Sequence, residues 1–389
     1  MEEIILSEKT CSYYEKCGGC SQLTTRYKKQ LINKENMVKS LFSEAEIENY
    51  NYQGIIPSPD IYEYRNKMEF SFGDLEIGGT LQLGMHPRGR IYEVVTVKDC
   101  LLVDEDFRKI LRTVIKYYRK LDFKKYHVKK REGYLRNLVI RKGTNTGEIL
   151  VNLVTTSQHN HNPSDLVELL LEKEYAGKLV GFIHTINDDY AGAVKCDESK
   201  VMFGRDYFYE ELLGYIFKIK PLSFFQVNTK GAEILYKMIN DLIDSKQKNI
   251  YDLYCGTGSI GITVAEKAEK VYGIEKMAET IVMAKENAEK NNVFNCEFIC
   301  GDVLKRIDEI GNKADVMIID PPRPGIHPDA RKKIISSGTS EIIYVSCNPK
   351  TLTRDLKEFI DNDYNISFTK CIDMFPHTSH VETCTFLTK

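Results

Sequence analysis

The chain has 389 residues, enough for two domains that each bury an apolar core, and its 54 Lys and Arg residues against 56 Asp and Glu leave a net charge of −2. This balance excludes a surface that is basic throughout, so a nucleic-acid partner would need a local basic face. No run approaches about 18 uncharged apolar residues, and Met1-Glu2-Glu3 lacks the basic start of a signal peptide, so we expect a cytoplasmic protein without a membrane partner.

Three of the eleven cysteines lie close together near the N-terminus, as Cys11-Ser-Tyr-Tyr-Glu-Lys-Cys17-Gly-Gly-Cys20. In a reducing compartment such cysteines bind metal or catalyse more often than they form disulfides. The two glycines let the chain fold around a small inorganic core, and Cys100, the next cysteine in the chain, is the candidate fourth ligand. Four thiolates satisfy an iron–sulfur cluster and tetrahedral zinc equally, so both groups remain open.

The segment after these cysteines predicts a helix and then an α+β domain. The helical stretch is charged and runs from about 24 to 43. Short β-like runs then alternate with turns and with two helical runs, which is typical of a mixed domain. The β-like runs include 67–72, 138–141 and 148–154, and the helical runs lie near 107–121 and 164–172.

Beyond Asn249 strands alternate with helical stretches, which is typical of a parallel doubly wound sheet. The last two apolar runs, 365–373 and 382–388, are joined by a segment too short for a crossover helix, so we predict an antiparallel pair. The preceding strands are predicted at 250–254, 270–275, 297–299, 316–320 and 342–346.

A glycine-rich loop follows the first of these strands and opens a helix, with Gly256, Gly258 and Gly261 in a G-x-G-x-x-G frame. Glycine lets the backbone turn tightly and approach a ligand closely. The next strand ends in Glu275, whose carboxylate can accept hydrogen bonds from ribose hydroxyls. These features fit a dinucleotide and S-adenosylmethionine equally.

Two later elements favour the methyl donor. Asp302 follows the third strand, and Asp320 begins Asp-Pro-Pro-Arg after the fourth. Polar groups therefore occur at successive strand ends, as contacts to adenine and to methionine require. The prolines also restrict the loop and direct Asp320 into the ligand crevice.

The strand at 342–346 ends in Ser346-Cys347-Asn348-Pro349, which places a thiol at the ligand-binding edge of the sheet. Carbon 5 of uracil is too weak a nucleophile to take a methyl group from a sulfonium, and addition of a thiolate to carbon 6 removes this difficulty. The adduct then needs a base that takes the carbon-5 proton, and Glu382 at the start of the last strand is the candidate. A buried structural thiol and a solvated glutamate are the alternative interpretations.

These motifs together resemble the RNA uracil-5-methyltransferases that depend on S-adenosylmethionine, and more closely the 23S ribosomal RNA branch with a [4Fe-4S] cluster. The resemblance covers nearly the whole chain. It rests on Cys-x5-Cys-x2-Cys with a distant fourth Cys, Phe224-Phe225-Gln226-Val227-Asn228, the glycine loop, Asp-Pro-Pro-Arg, Ser-Cys-Asn-Pro and His-Val-Glu-Thr-Cys.

The resemblance implies that Cys347 is the nucleophile and Glu382 the base. It implies that the cluster ligands are Cys11, Cys17, Cys20 and Cys100. The methyl-donor contacts that it implies, together with the loop glycines, are Gln226, Tyr254, Gly256, Gly258, Ser259, Glu275, Asp302 and Asp320.

The fold implied by the resemblance is a Rossmann-like class I methyltransferase domain at 221–389, a doubly wound sheet with an antiparallel last strand. An iron–sulfur segment and an α+β central region that binds RNA precede it at 1–220. Many relatives begin with an oligonucleotide-binding barrel of the TRAM type. We expect none here, because the cysteines start at Cys11.

We therefore expect the RNA to be held by Arg26, Lys28, Lys29 and the basic run 124–131, for which a solvated face is the alternative. The expected protein is a monomer that methylates carbon 5 of a uridine in 23S ribosomal RNA. The same reaction on transfer RNA, a dinucleotide-dependent iron–sulfur oxidoreductase and a non-catalytic RNA-binding module are the alternatives.

Overall fold

The computed structural model describes residues 9–76, 78–190, 196–311 and 313–389. The helices in these ranges are α1 (Tyr27–Glu44), α2 (Glu105–Lys120), α3 (Ser164–Leu171), α4 (Thr229–Asp241), α5 (Ser259–Thr263), α6 (Ala278–Lys290), α7 (Val303–Arg306), α8 (Pro328–Ser336) and α9 (Pro349–Ile360). The strands are β1 (Tyr50–Ile56), β2 (Lys67–Gly73), β3 (Gln82–Met85), β4 (Val95–Thr96), β5 (Leu135–Lys142), β6 (Glu148–Thr155), β7 (Lys178–Ile186), β8 (Glu198–Gly204), β9 (Phe208–Leu212), β10 (Tyr215–Ile219), β11 (Gln247–Leu253), β12 (Ala268–Glu275), β13 (Cys296–Cys300), β14 (Val316–Ile319), β15 (Glu341–Ser346), β16 (Asn365–Ile372) and β17 (Glu382–Thr388).

The chain forms two compact units. Unit 1 contains the described residues up to Arg26, together with Asp60–Glu210 and Ile219–Leu222. Unit 2 contains Tyr27–Pro59, Glu211–Lys218 and Ser223–Lys389. The division predicted at residue 220 differs from this one mainly by α1 and β1, which lie in unit 2 because β1 pairs with β16.

Unit 1 has the predicted mixture of helices and strands. Its seven-stranded sheet has the order β4-β3-β2-β5-β6-β7-β8 and is antiparallel except for the parallel pair of β6 and β7, which α3 connects. The apolar sides of α2 and α3, including Phe107 and Leu166, share a core with Phe70 and Leu138 of the sheet. Asp104 begins α2 by accepting hydrogen bonds from backbone N–H groups of its first turn.

Unit 2 has an eight-stranded sheet with the order β1-β16-β17-β15-β14-β11-β12-β13. All its pairs are parallel except those of β17, which runs antiparallel to both β15 and β16, as the short connection predicted. The central strand β14 is buried along its whole length, as expected for a parallel strand with helices on both faces. Strand β1 at the sheet edge is an addition that the alternating pattern did not predict.

The register of this sheet brings the carboxyl ends of its parallel strands to one edge. Leu253 of β11 pairs with Ile274 of β12 and with Ile319 of β14, and Ile319 pairs with Tyr344 of β15. The loops that follow these strands therefore lie side by side, where sheets of this class bind ligands. No helix in the described ranges is long and apolar enough to cross a membrane.

Candidate active site

The glycine loop between β11 and α5 adopts a backbone that requires its glycines. Gly256 and Gly258 have φ angles of 53° and 78°, in the left-handed region that favours glycine. A Cβ atom on Gly258 would lie 2.7 Å from the Phe298 ring, so a side chain there would meet strain and a clash. Tyr254 also has a positive φ, 66°, at the point where the chain leaves β11. The loop thus exposes backbone at the ligand-binding edge.

Asp252 holds this loop, a role that we did not predict for it. Its Oδ2 accepts a hydrogen bond from the Gly261 N–H at 2.8 Å, and its side chain is fully buried. Burial raises the pKa of Asp252 to about 7, with further increases from Asp320 and Glu275, while the Gly261 hydrogen bond lowers it. The motif carried a signal, since an acid before a glycine loop can fix that loop.

The predicted methyl-donor residues follow the same edge. Glu275 ends β12 and accepts a hydrogen bond from the Met277 N–H at 2.9 Å. Asp302 follows β13 and begins α7 by accepting one from the Leu304 N–H at 2.9 Å. Burial and then the Asp302 charge raise the pKa of Tyr254 to about 12, which places these two side chains near each other.

Helix α4 contributes a tyrosine that the sequence did not reveal as part of the site. The Tyr236 hydroxyl lies 2.9 Å from Ser259 Oγ, at the start of α5. Burial raises the Tyr236 pKa, the Ser259 hydrogen bond lowers it, and Asp320 and Glu382 are among the charges that raise it. Tyr236 therefore lies between the glycine loop and the predicted base.

Gln226 lies just before α4 and is 7% exposed. Its neighbours differ in environment, because Phe224 is 68% exposed whereas Phe225 is 4% exposed and contacts the Phe217 ring. Asn228 begins α4, and its amide also donates to Ser58 and to the Met374 carbonyl. The segment is thereby anchored, and Phe224 is the aromatic ring that it presents to solvent.

The predicted thiol and base lie at the same end of neighbouring strands. Ser346 of β15 pairs with Thr383 of β17, so Cys347 and Glu382, each one residue beyond, follow at the same level. Cys347 lies in a turn in which the Asn348 N–H donates to Ser346 Oγ at 3.2 Å. Pro349 then begins α9, and the positive end of a helix favours a thiolate nearby.

The Asp-Pro-Pro-Arg loop after β14 is tied to the thiol turn. The Asn348 amide donates to the Arg323 carbonyl at 3.1 Å, and the Thr351 hydroxyl donates to the same oxygen at 3.2 Å. The Arg323 guanidinium also lowers the pKa of Cys347. These contacts bring Asp320, at the start of the loop, towards the thiol.

Burial controls the protonation of this site. It raises the pKa of Asp320 to about 7. Burial and the neighbouring Asp320 raise the pKa of Glu382, which is 3% exposed, well above its usual range. The Cys347 pKa rises to about 11, chiefly by burial and then through Glu382 and Asp320. At neutral pH the protein without substrate therefore holds a neutral thiol beside carboxyl groups that bind protons readily.

A buried ion pair holds the segment that leads to Glu382. Lys34 of α1 and Asp373, directly after β16, are 2.6 Å apart and both side chains are fully buried. The Lys34 ammonium also donates to the Phe375 carbonyl at 3.0 Å. This lysine lies in a stretch that we read only as a charged helix, and no local signal marks it as buried.

The four cysteines predicted as metal ligands line one cavity in unit 1. Its volume is about 70 Å³, and apolar side chains such as Met68 and Val97 complete the wall. Burial, followed by the charges of the other three cysteines, raises the pKa of Cys20 to about 12. The four cysteines are Cys11, Cys17, Cys20 and Cys100.

This donor set fits a metal group that supplies positive charge, because thiolates that repel one another in an apolar cavity need a cation for compensation. Gly18 allows the loop to close, since its N–H donates to the His86 carbonyl at 2.9 Å and a Cβ atom there would lie 2.8 Å from that oxygen. In the described part of the chain, no group of three or more His, Cys, Asp and Glu side chains already has the arrangement of a metal-ion site.

The chain matches the model of the tRNA (uracil-5-)-methyltransferase family over residues 26–389. A protein of Clostridium tetani described as an uncharacterized RNA methyltransferase is 51% identical over 377 residues, which cover 97% of this chain and 83% of that protein. A protein of Clostridium acetobutylicum with a similar description is 49% identical, over 98% of this chain and 84% of its own length.

Among solved structures, the Pyrococcus abyssi tRNA (uracil-54, C5)-methyltransferase in complex with S-adenosyl-L-homocysteine is similar to this chain. The TM-score is 0.77 at 27% sequence identity, and the match covers 96% of this chain and 86% of the other. The similarity therefore extends over residues of both units.

Proposed function

The chain belongs to the tRNA (uracil-5-)-methyltransferase family and is an S-adenosylmethionine-dependent RNA (uracil-5-)-methyltransferase, and we propose that its substrate is a uridine of 23S ribosomal RNA. The observation that carries the proposed chemistry is the position of Cys347 and Glu382 beside the glycine loop. The methyltransferase family leaves no need for the oxidoreductase or the non-catalytic RNA-binding alternative.

In the proposed reaction the target uridine leaves its RNA stack, because carbon 6 must meet the thiol from one face of the ring. Phe224, the exposed ring before α4, is positioned to stack on an extruded base, whereas Phe225 packs in the core. Unstacking costs a few kcal/mol and is least costly in a loop, so we propose a folded RNA loop as the target.

The bonds change in three steps. Cys347 releases its proton, and the thiolate adds to carbon 6 to give an enolate. Carbon 5 of that enolate takes the methyl group, and S-adenosylhomocysteine leaves with the electron pair of the broken carbon–sulfur bond. Glu382 then removes the carbon-5 proton, the double bond re-forms, and the Cys347 thiolate is expelled. The raised pKa of Glu382 suits this last step, because its carboxylate holds a proton well.

Six further residues are proposed to hold the methyl donor with the glycine loop. Glu275 would accept hydrogen bonds from the ribose, and Asp302 would bind the adenine side. Asp320 and Gln226 would contact the methionine part, near the methyl group. The remaining two are Tyr254 and Ser259.

The cysteine pattern supports ribosomal RNA as the substrate, because it is the feature that resembles the ribosomal branch. Transfer RNA is the second candidate, since the similar solved enzyme of Pyrococcus abyssi acts on tRNA uracil-54. Transfer of labelled methyl to unmodified 23S ribosomal RNA and transfer RNA transcripts, followed by nucleoside mapping, separates the two. 5-Methyluridine only in transfer RNA would overturn the ribosomal assignment, and its absence from both would overturn the proposed substrates.

We propose that the four cysteines that line the cavity hold a [4Fe-4S] cluster with a structural role. When bound, the cluster would cross-link the N-terminal loop to the segment that carries Cys100. Iron, sulfide and zinc determination on anaerobically purified protein tests this. We expect iron and sulfide in equal amounts, reduced strongly in Cys17→Ser and unchanged in Cys196→Ser, whose thiol is exposed. One zinc per chain without sulfide would contradict the cluster.

A further inference from the structure

We propose that a groove within unit 1 binds an unpaired nucleotide of the RNA substrate, in addition to the uridine that is methylated. This inference rests on the proposed RNA substrate. The groove has a volume of about 460 Å³, within the range of roughly 300–1,000 Å³ found for small-molecule sites. Its walls come from the turn after β3, the end of β2, the segment before β5 and β5 itself.

One wall presents an aromatic ring and a cation to solvent. Tyr92 is 59% exposed, and the Lys129 ammonium lies 4.8 Å from its ring centroid. Beside them Ile91 and Val128 are 69% and 41% exposed. Apolar and aromatic side chains this exposed have no structural use in the folded unit, whereas an aromatic ring beside a cation is the usual platform for an unpaired base.

The charges at the rim leave Lys129 available for a phosphate. Lys125 forms an ion pair with Asp74 at 2.6 Å, and Arg90 forms one with Glu93 at 3.2 Å. Among the described residues no carboxylate pairs with the Lys129 ammonium. Glu76 also lines the groove, and the basic run continues beyond it with Lys130 and Arg131, so cations outnumber acids on this side.

The floor of the groove is polar and rigid. The Arg136 guanidinium lies 4.6 Å from the Tyr126 ring centroid and donates to the carbonyls of Asn187 and Asp189. Asn137 of β5 is 7% exposed. Buried amide and guanidinium groups at the base of a pocket can read the hydrogen-bonding edge of a base, which is how unpaired RNA bases are distinguished.

The cysteine loop holds the wall that carries Tyr92. The Arg88 guanidinium donates to the Cys20 carbonyl at 3.0 Å, and the Gly18 N–H donates to the His86 carbonyl. The His86 ring in turn contacts the Glu93 carbonyl at 2.8 Å and Ser71 Oγ at 3.1 Å. The turn from 86 to 93 is therefore fastened between the cysteines and β2. A cluster at the cysteines would fix the shape of the groove.

Two substitutions test the groove with little risk to folding, since both side chains are exposed. We expect Tyr92→Ala to raise the Kd and the KM for the methylated RNA by about tenfold, from a stacking energy of roughly 1–3 kcal/mol per base. Its kcat at saturating RNA should stay unchanged, and Tyr92→Phe should bind as the wild type does. The matched control is Tyr190→Ala, equally exposed at 61% but outside the groove, with an expected change of less than about twofold.

Lys129→Ala should weaken RNA binding and reduce the slope of log Kd against log salt by about one, whereas Lys173→Ala should not change this slope. If the wild type methylates RNA and both groove variants keep its Kd, KM and salt slope, the groove proposal is wrong and the methyltransferase function stands. If the wild type binds both transcripts but methylates neither, the substrate proposal fails. A selective loss of binding in Tyr92→Ala would then still support the groove.

Discussion

Replacement of Glu382 by glutamine should separate methyl transfer from product release. The substitution keeps the size of the side chain and removes its ability to take a proton. Glu382 is 3% exposed, so bulk water has little access to replace it as a base. Addition of Cys347 and transfer of the methyl group precede its step. The variant should therefore stop as a covalent complex of protein and methylated RNA.

The size of the effect follows from the role of the group. A positioned general base contributes about 10²–10⁴ in rate, which corresponds to about 3–5 kcal/mol. Asp320 lies close enough to raise the Glu382 pKa and can partly replace it, so we expect a loss of about 10³ in turnover. The first methyl transfer should lose far less, since it does not need this base.

Unfolding should not explain this loss. A carboxyl whose pKa is raised in the folded state contributes stability that is full below its unfolded pKa and is lost as pH rises through the folded pKa. The Glu382 pKa is raised from its ordinary value of 4.5. The glutamine variant lacks this loss, so its stability relative to the wild type should increase as pH rises above about 4.5. Urea unfolding at pH 5 and pH 8 measures this.

The assay is a denaturing gel with RNA labelled in one experiment and the methyl group labelled in another. We expect one adduct per active site that carries both labels in Glu382→Gln and no adduct in Cys347→Ser/Glu382→Gln. The control Cys300→Ser/Glu382→Gln, which removes an exposed thiol of the same unit, should keep the adduct. Wild-type turnover by Glu382→Gln, or an adduct without Cys347, would refute the assignment of these roles.

Three further predictions concern stability and cofactor binding. Lys34→Met breaks the fully buried ion pair and should lower the free energy of unfolding by about 3–5 kcal/mol in urea titrations, whereas Lys39→Met, which removes an exposed pair on the same helix, should cost less than about 1 kcal/mol. Asp252→Asn removes a carboxyl whose pKa is raised from 3.8 to about 7, so its stability relative to the wild type should increase by up to about 4 kcal/mol between pH 4 and pH 8, and no increase would contradict the buried charge. Gly258→Ala should weaken S-adenosylhomocysteine binding more than tenfold by calorimetry, whereas Gly214→Ala, at a φ of 81° with no atom within 4 Å of the new Cβ, should leave it unchanged.

Features with a local cause were predictable from the sequence. The glycine loop follows a short apolar strand and opens a helix, and its glycines recur at the spacing that a close backbone approach needs. The segment between 373 and 382 is too short to cross over the sheet, which made β16 and β17 antiparallel. The cysteines at 11, 17 and 20 are near enough in sequence to indicate a common site, which the cavity agrees with.

Features set by contacts between distant segments were not predictable in this way. Lys34 reads as one more charge on a solvated helix, yet it is fully buried against Asp373. Strand β1 has no pattern that distinguishes it from an edge loop, and its pairing with β16 places it in unit 2. Tertiary burial also decided that Phe224 is exposed while Phe225 is core.

The sequence by itself therefore determined the chemistry that this protein can carry, because a thiol, an acid and a glycine loop are properties of short segments read in order. Only the tertiary structure decided the environment of those groups. Whether Glu382 is solvated or buried, and whether the Cys347 pKa rises or falls, depends on the strands and loops that exclude water from them. Burial is a sum over neighbours that are distant in the chain, and no local pattern records that sum.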